Sequence, residues 1–467
     1  MALDSIQSLV KALEAGNYNA APSTLTQGAA LQVEDLSPVM HNVTFTNEHI
    51  KLQKMVKVEP CKSVLAQFDR QLSYGQFGGS AQLEGAVGQE ETSDYVRVVV
   101  PMAFYSHTRR TTIVANLIQT VDGKKADERA AADAALKIAA DIEFDLFRGK
   151  ADFSNNGVFD GDPRSIPNLP NMMGVDCQVR QSDMQSNAKD LMFAEFGSDL
   201  SVVISGGGVL TQQNIEDAYV RSAMNLGHAD LLLVDPLVLS AYNILGYQNK
   251  ERILLGNTAQ QASGASLNKQ FVSGGTVNVE ASRFLSGKFK PQRPRANGPA
   301  APTVKVATDG EVMTGLGTSL KAGSYVYYVT AANRVGESPA SAPITVNVAN
   351  DGDGVKLEIT PVANAEFFNV YRSPVGGSVA SARFIGRVAN MGTAVTYFKD
   401  LGNRIPGFVT GYLIQGDTMA IKELAPYSRL KLAVTDLSTP EAHFRFCALA
   451  VMEPRKNVLI DNLKGNL

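Results

Sequence analysis

Tryptophan does not occur in this 467-residue chain, histidine occurs five times and cysteine three times. Cys61, Cys177 and Cys447 lie far apart and are odd in number, which excludes a disulfide framework and a paired-cysteine metal knuckle and fits a reducing place of synthesis, the cytoplasm. His41, His49, His107, His228 and His443 are scattered, and none belongs to an HExxH pattern or stands beside a cysteine. Charge is sparse as well: 19% of residues are charged, against about 25% in an ordinary soluble domain. With 43 basic and 46 acidic residues the net charge is -3, too little basic field to draw in nucleic acid over distance. No apolar run approaches the ~20 residues of a membrane span, so the missing charge points to surface that other subunits cover. The first sixteen residues carry Asp4 and lack the basic-then-apolar order of a secretory signal.

The patterns that carry chemistry are equally thin. Ser205 to Gly208 precedes a helical stretch but has neither the lysine and hydroxyl of a P-loop nor the GxGxxG spacing, so it reads as a strand-to-helix turn. Asp351-Gly-Asp353 lacks the later bidentate glutamate of a calcium loop and reads as a hairpin turn; Asp160 and Asp162 read as a turn too. Arg293-Pro294-Arg295 is too short for a nucleic-acid patch, and no GxSxG elbow occurs. No catalytic residue, metal ligand or cofactor is expected.

What is present is an ordered series of elements. Ile6, Leu9, Val10 and Leu13 recur at helical spacing, which makes a short amphipathic helix docked on its own domain or on a neighbouring subunit. Residues 17–46 have little periodicity, as an extended arm does. Strand-like runs Lys62 to Tyr74 and Tyr95 to His107 flank a glycine-rich stretch with Glu84, Glu90 and Glu91. A hairpin tip near twenty residues long far exceeds the usual two to five, so it should find its order on a partner. Residues 127–148 are the strongest helix signal, with Ala131, Ala135, Ile138, Ile142 and Leu146 on one face, acids in the first turn and Arg148 in the last. An α/β stretch follows: a strand Leu200 to Ile204, a helix Leu210 to Leu226 capped by Thr211, a strand Asp230 to Val234 and a helix Pro236 to Leu245. After the proline-rich KPQRPRANGPAAPT, residues 300–401 alternate as six or seven short strands, which predicts a β-sandwich. Strand-like segments Arg429 to Val434, Ala442 to Met452 and Val458 to Ile460 end the chain, so the sandwich interrupts one fold as an insertion.

This order of elements resembles the major capsid proteins of tailed bacteriophages, which share the Hong Kong ninety-seven type fold. The residues behind the resemblance are the arm at 17–60, the loop CKSVLAQFDRQLSYGQFGGSAQLEGAVGQEETSDYVRVVV, the helix DERAAADAALKIAADIEFDLFRG, the unit TQQNIEDAYVRSAMNLGHADLLLVDPLVLSAYN and the ending HFRFCALAVMEPRKNVLIDNL. SYVYYVTAANRVGESPASAPITV in the sandwich is similar to an immunoglobulin-like or fibronectin type III domain.

The resemblance implies an α+β fold divided into an N-terminal helix and arm (1–60), an extended-loop hairpin (61–112), a spine helix and peripheral domain (113–180), an axial domain (181–296), an immunoglobulin-like insertion (297–406) and return strands (407–467). It implies a non-enzymatic subunit of an icosahedral virion shell, synthesised in the host cytoplasm. Its expected partners are copies of itself in hexamers and pentamers, a separate scaffolding protein, a portal, packaged double-stranded DNA held without sequence recognition, and a decoration protein; no membrane is expected. The inter-subunit contact candidates are Phe68, Arg70, Tyr74, Phe77, Glu84, Glu90, Glu91 and Tyr95. Two rival readings are a glycan- or polymer-active enzyme with a fibronectin-like accessory domain, which would need paired carboxylates and aromatic platforms, and an encapsulin-like compartment.

Overall fold

The computed structural model describes residues 45–75, 81–88, 90–118, 125–149, 172–185, 201–248, 268–286, 298–306, 312–313, 320–333, 337–392, 394–402, 404–434 and 436–464. The amphipathic segment Ile6 to Leu13, the arm up to residue 44, Phe77, Asp160, Asp162, Arg293 and Arg295 lie outside them.

The end of the arm forms helix α1 (Leu52–Met55) and strand β1 (Lys57–Pro60). Strands β2 (Leu65–Ser73) and β3 (Asp94–Pro101) pair antiparallel as a hairpin, and β4 (Ala103–Thr112) follows at once. The run expected as one strand, Tyr95 to His107, is therefore two. Pro101 has no N–H for a ladder, Met102 N donates to Val64 O at 2.9 Å, and β4 continues into a different sheet. Helix α2 (Ile113–Leu117) leads to the spine helix α3 (Ala126–Arg148). Ala134, Ile138, Ile142 and Leu146 are buried along one side of the spine, while Ala131 and Ala135 are half-buried beside them.

Helix α4 (Val175–Gln185), in a stretch not assigned to any element from the sequence, precedes β5 (Val203–Gly208), α5 (Gln212–Met224), β6 (Leu231–Val234), α6 (Pro236–Gln248), β7 (Lys269–Val272) and β8 (Gly275–Ala281). The glycines expected as a turn at 206–208 are the end of β5; Gly207 and Gly208 have φ of 65° and 125°, which glycine alone takes freely. Thr211 caps α5 by accepting from Asn214 N at 3.2 Å.

Among the described residues eight short strands follow: β9 (Val304–Val306), β10 (Val312–Met313), β11 (Gly323–Ala332), β12 (Ile344–Val348), β13 (Gly354–Ile359), β14 (Phe367–Arg372), β15 (Arg383–Ala389) and β16 (Thr396–Asp400). They make one sheet in the order β12-β11-β14-β15 and a second of β10-β13-β16 with β9 on β13. Tyr327, Val329, Leu357, Ile359, Phe368 and Val370 fill the space between the two sheets. The Asp351-Gly-Asp353 turn joins β12 to β13 and so passes from one sheet to the other, which corrects its reading as a hairpin turn. Its carboxylates are engaged locally: Asp351 accepts from Ala322 N at 2.8 Å and Asp353 from Asn350 N at 3.2 Å.

Strands β17 (Val409–Ile414), β18 (Met419–Lys431), β19 (Ser438–Val451) and β20 (Val458–Leu463) return to the first part of the chain. A six-stranded sheet runs β5-β20-β17-β6-β8-β7, so β8 before the eight short strands and β17 after them both flank β6. The spine sheet runs β1-β18-β19-β4, with β1 parallel to β18 and the remaining pairs antiparallel. One continuous core joins the spine helix, the spine sheet and the six-stranded sheet, through Phe147, Tyr412, Leu233 and Leu449 among others. The chain is α+β, and its elements come in the expected order: an extended hairpin, a spine helix, an α/β unit, a run of short strands and returning strands.

Candidate assembly surfaces

The β2–β3 hairpin is held at its base and bare beyond it. Ala66 and Val100 are buried against Met102 and Ala448, with Phe68 half-buried beside them. Arg70 lies over the Phe68 ring at 5.2 Å, and its Nε and Nη2 donate to the carbonyls of Met452 and Val451, both at 2.6 Å. Burial draws the Arg70 guanidinium down to about 10, still charged at neutral pH. Farther out, Arg97 pairs with Asp69 across the strands at 2.8 Å, in water on both sides, where such a pair adds little. Tyr74, Leu83 and Val87 are 87%, 87% and 92% exposed, and Tyr95 is 66% exposed. A lone two-stranded hairpin is marginal in water, and this one presents apolar side chains that none of the described residues of its own subunit covers.

The contact candidates thus fall into two groups. Tyr74, Glu84, Glu90, Glu91 and Tyr95 are exposed along the outer hairpin. Phe68 and Arg70 are engaged inside their own subunit, where they fix the angle at which the hairpin leaves the spine sheet. Phe77 lies outside the described residues.

A second bare surface was not singled out from the sequence. At the far end of the spine sheet, Ile113 N donates to Leu437 O at 3.0 Å, which brings α2 beside the β18–β19 turn. Val114, Leu117, Ile118, Leu430, Val434 and Leu437 are 55–81% exposed there. The apolar alternation in LKLAV and the run IVANLI were the available signals; both read equally as buried strand or helix.

Charged side chains buried between elements make the frame behind these surfaces rigid. The Glu143 carboxylate of the spine accepts from the backbone N–H groups of Lys51, Leu52 and Gln53 at 3.0, 2.8 and 2.9 Å, so it caps α1. Ile50, Leu52 and Val56 are buried with it, so the end of the arm docks on its own subunit. Burial raises the Glu143 carboxyl against the pull of those three donors. Asp145 accepts from the Tyr105 hydroxyl at 2.6 Å; burial lifts its carboxyl to about 7, opposed by Tyr105 and reinforced by Asp141. Arg180 of α4 grips Asp461 of β20 at 2.7 and 2.8 Å, and Arg404 approaches Asp461 to 3.0 Å. Burial would raise Asp461, yet Arg180 and Arg404 outweigh it and hold the carboxyl at about 2.

Arg404 is also the junction with the eight-stranded region. Its carbonyl accepts from Arg372 Nη2 at 2.8 Å, its guanidinium lies over Phe408 at 4.6 Å, and Phe384 stacks on Phe408 at 6.5 Å. Among the described residues no group of His, Cys, Asp and Glu is arranged to hold a metal ion, and no helix is long and apolar enough to cross a membrane. Burial pushes the Cys447 thiol up to about 12, which leaves it unreactive at neutral pH.

No protein-family model matches the chain. Among curated proteins, the major capsid protein of Staphylococcus phage S25-3 is 22% identical over 476 residues, covering 98% of this chain and 95% of the relative. The chain is a capsid protein of the tailed-phage kind. The major capsid protein of Staphylococcus phage K shows the same identity and coverage. Among solved structures, the capsid of a native GTA particle is 11% identical, with a TM-score of 0.45, covering 96% of this chain and 100% of that one. As a capsid protein the chain is a structural component of the virion.

Proposed function

We propose that this chain self-assembles, as hexamers and pentamers, into the icosahedral shell that encloses a phage genome. The observation that carries the reading is the β2–β3 hairpin, fixed at its root by Arg70 and unsupported beyond it, with Tyr74, Leu83, Val87 and Tyr95 in solvent. In a monomer that surface is a liability; in a shell it lies on the next subunit. Tyr74, Phe77, Glu84, Glu90, Glu91 and Tyr95 are the contacting residues, with Phe68 and Arg70 setting the hairpin's direction. The exposed end of the spine sheet is a second contact between copies.

The parts are those expected from the sequence: arm to 60, extended loop 61–112, spine helix and peripheral domain 113–180, axial domain 181–296, immunoglobulin-like insertion 297–406 and return strands 407–467. The insertion is supported by its own core and by the closure of the six-stranded sheet across it. The chain has no enzymatic role and takes no cofactor. It is made in the host cytoplasm and works with a separate scaffolding protein, a portal, DNA packed without sequence recognition and a decoration protein.

Electron microscopy of the purified chain tests the reading. Shells or rings are expected from the full chain, and soluble subunits that never close from a variant lacking residues 76–91. Normal shells from that variant would refute the role given to the hairpin, and a persistent monomer from the full chain would refute assembly.

A further inference from the structure

Two histidines that the assembly surfaces do not use face each other under the spine helix. In the antiparallel register of β4 and β19, His107 lies directly opposite His443, and Arg429 of β18 opposes His443 on its other side. Directly opposed residues share a face of a sheet, so Arg429, His443 and His107 form one row. The next row holds Lys431, Glu441 and Arg109. Tyr105 is on the same face of β4 as His107, two residues along, and it bonds to Asp145 of the spine. That face is therefore the one beneath the helix.

His443 has no exposed surface. Its Nδ1 is 2.9 Å from the Tyr427 hydroxyl, the Tyr427 and His443 rings stack at 6.1 Å, and the same hydroxyl donates to Ala131 O in the spine at 3.3 Å. The His443 Nε2 is buried without a partner. These contacts fit one tautomer. Nδ1–H donates to the Tyr427 oxygen, the Tyr427 O–H donates to Ala131 O, and Nε2 is left as a bare lone pair. The relay joins β19, β18 and the spine helix.

We propose that His443, with His107 beside it, is a proton-operated catch that holds the β18–β19 hairpin against the first half of the spine helix at neutral pH and releases it in acid. A second proton on His443 would place an N–H on Nε2, where no acceptor waits, and the ring would have to turn toward water and break the relay. The surrounding charges oppose that proton. Arg109 on β4, Arg429 on β18 and Lys137 on the spine stand around the pair; Glu441, which opposes them, is held by Arg429 at 2.7 Å, and Arg429 is itself 3.5 Å from Asp127 of the spine. Burial lowers both imidazoles below their ordinary 6.5; Lys137, Arg109 and His443 lower His107 further, while at His443 Glu441 opposes and Arg429 and Arg109 reinforce the shift. The sign follows from linkage. The open form binds protons that the closed form refuses, so opening becomes more favourable as pH falls below the ordinary value.

Hydrogen exchange on the full-length subunit tests this, whether or not shells form. After correction for the chemical exchange rate, protection of residues 419–431 and 126–136 should fall several-fold, up to about tenfold, between about pH 7.5 and pH 5.5. Protection of 409–414 and 458–463 in the six-stranded sheet should not change. His443→Asn should remove the pH dependence, and His228→Gln should leave it intact. An equal loss in the His443→Asn variant, or a uniform loss across both sheets, would overturn the proposal. If that variant fails to fold, the imidazole titration of His443 in the wild-type chain by nuclear magnetic resonance decides: a midpoint below the ordinary value supports the catch, and one at or above it refutes it.

Discussion

The hydroxyl of Tyr105 donates a 2.6 Å hydrogen bond to the carboxyl of Asp145, and through it β4 is tied to the C-terminal half of the spine helix. Both groups are buried beneath the helix, where a carboxylate is poorly solvated and the protonated acid is favoured.

Stability should therefore fall as the solution becomes more alkaline through neutrality. The carboxyl rises from 3.8 to about 7 on folding, so the native state keeps a proton that the unfolded chain releases. The contribution is complete below that window and is lost as pH rises through about 7. Asp145→Asn still accepts from Tyr105 and has no charge to bury. Between about pH 5 and pH 8 thermal melting should show wild type losing roughly 2–4 kcal/mol relative to the variant, the histidine contributions being common to both. Superimposable pH profiles would rule Asp145 out as the responsible group.

Ile138 is 3% exposed in the core beneath the spine. Ile138→Asp places an unpaired charge there at a cost of several kcal/mol, so loss of folding is expected, not merely loss of assembly. Circular dichroism and melting of the purified variant check it; a native-like melt would be incompatible with this packing.

Arg70→Ala should loosen the hairpin without unfolding the host. Two charge-assisted hydrogen bonds disappear, on the order of 1–3 kcal/mol each, and the carbonyls of Val451 and Met452 lose their donor. Amide exchange in residues 65–73 and 94–101 should accelerate while β17 and β20 stay protected. Unchanged exchange in the hairpin would show that Arg70 does not anchor it.

Excision of the inserted region should depend on where the cut falls. Removing 303–401 keeps Arg404 against Asp461 and Phe408, whereas removing 299–405 leaves Asp461 with Arg180 as its remaining cation and uncovers Phe408. The longer deletion should be the less stable by roughly 1–3 kcal/mol, read by denaturant midpoint. Equal midpoints would mean that the Arg404 junction adds nothing to the host.

Much of this architecture was legible in the residues because its causes are local. The spine helix follows from three-to-four apolar spacing between acidic and basic ends, and α5 from Thr211 in front of a periodic stretch. Strands β11 to β16 follow from alternation, since a strand with one buried face writes that face into every second residue. The bare outer hairpin was visible as a glycine-rich tip too long to support itself, and the exposed Tyr74, Glu84 and Tyr95 lie along it. What the sequence could not decide is which distant segment each strand or side chain meets. The break at Pro101 sends β3 and β4 to different sheets, and β12 and β13, joined by a short turn, do the same. Arg70, expected to contact a neighbour, donates within its own subunit to the carbonyls of Val451 and Met452, some 380 positions away. His107 and His443 looked scattered because 336 positions separate them along the chain. Antiparallel register alone sets them side by side, and packing beneath the spine helix buries His443 and half-buries His107, which makes a charged imidazole costlier there.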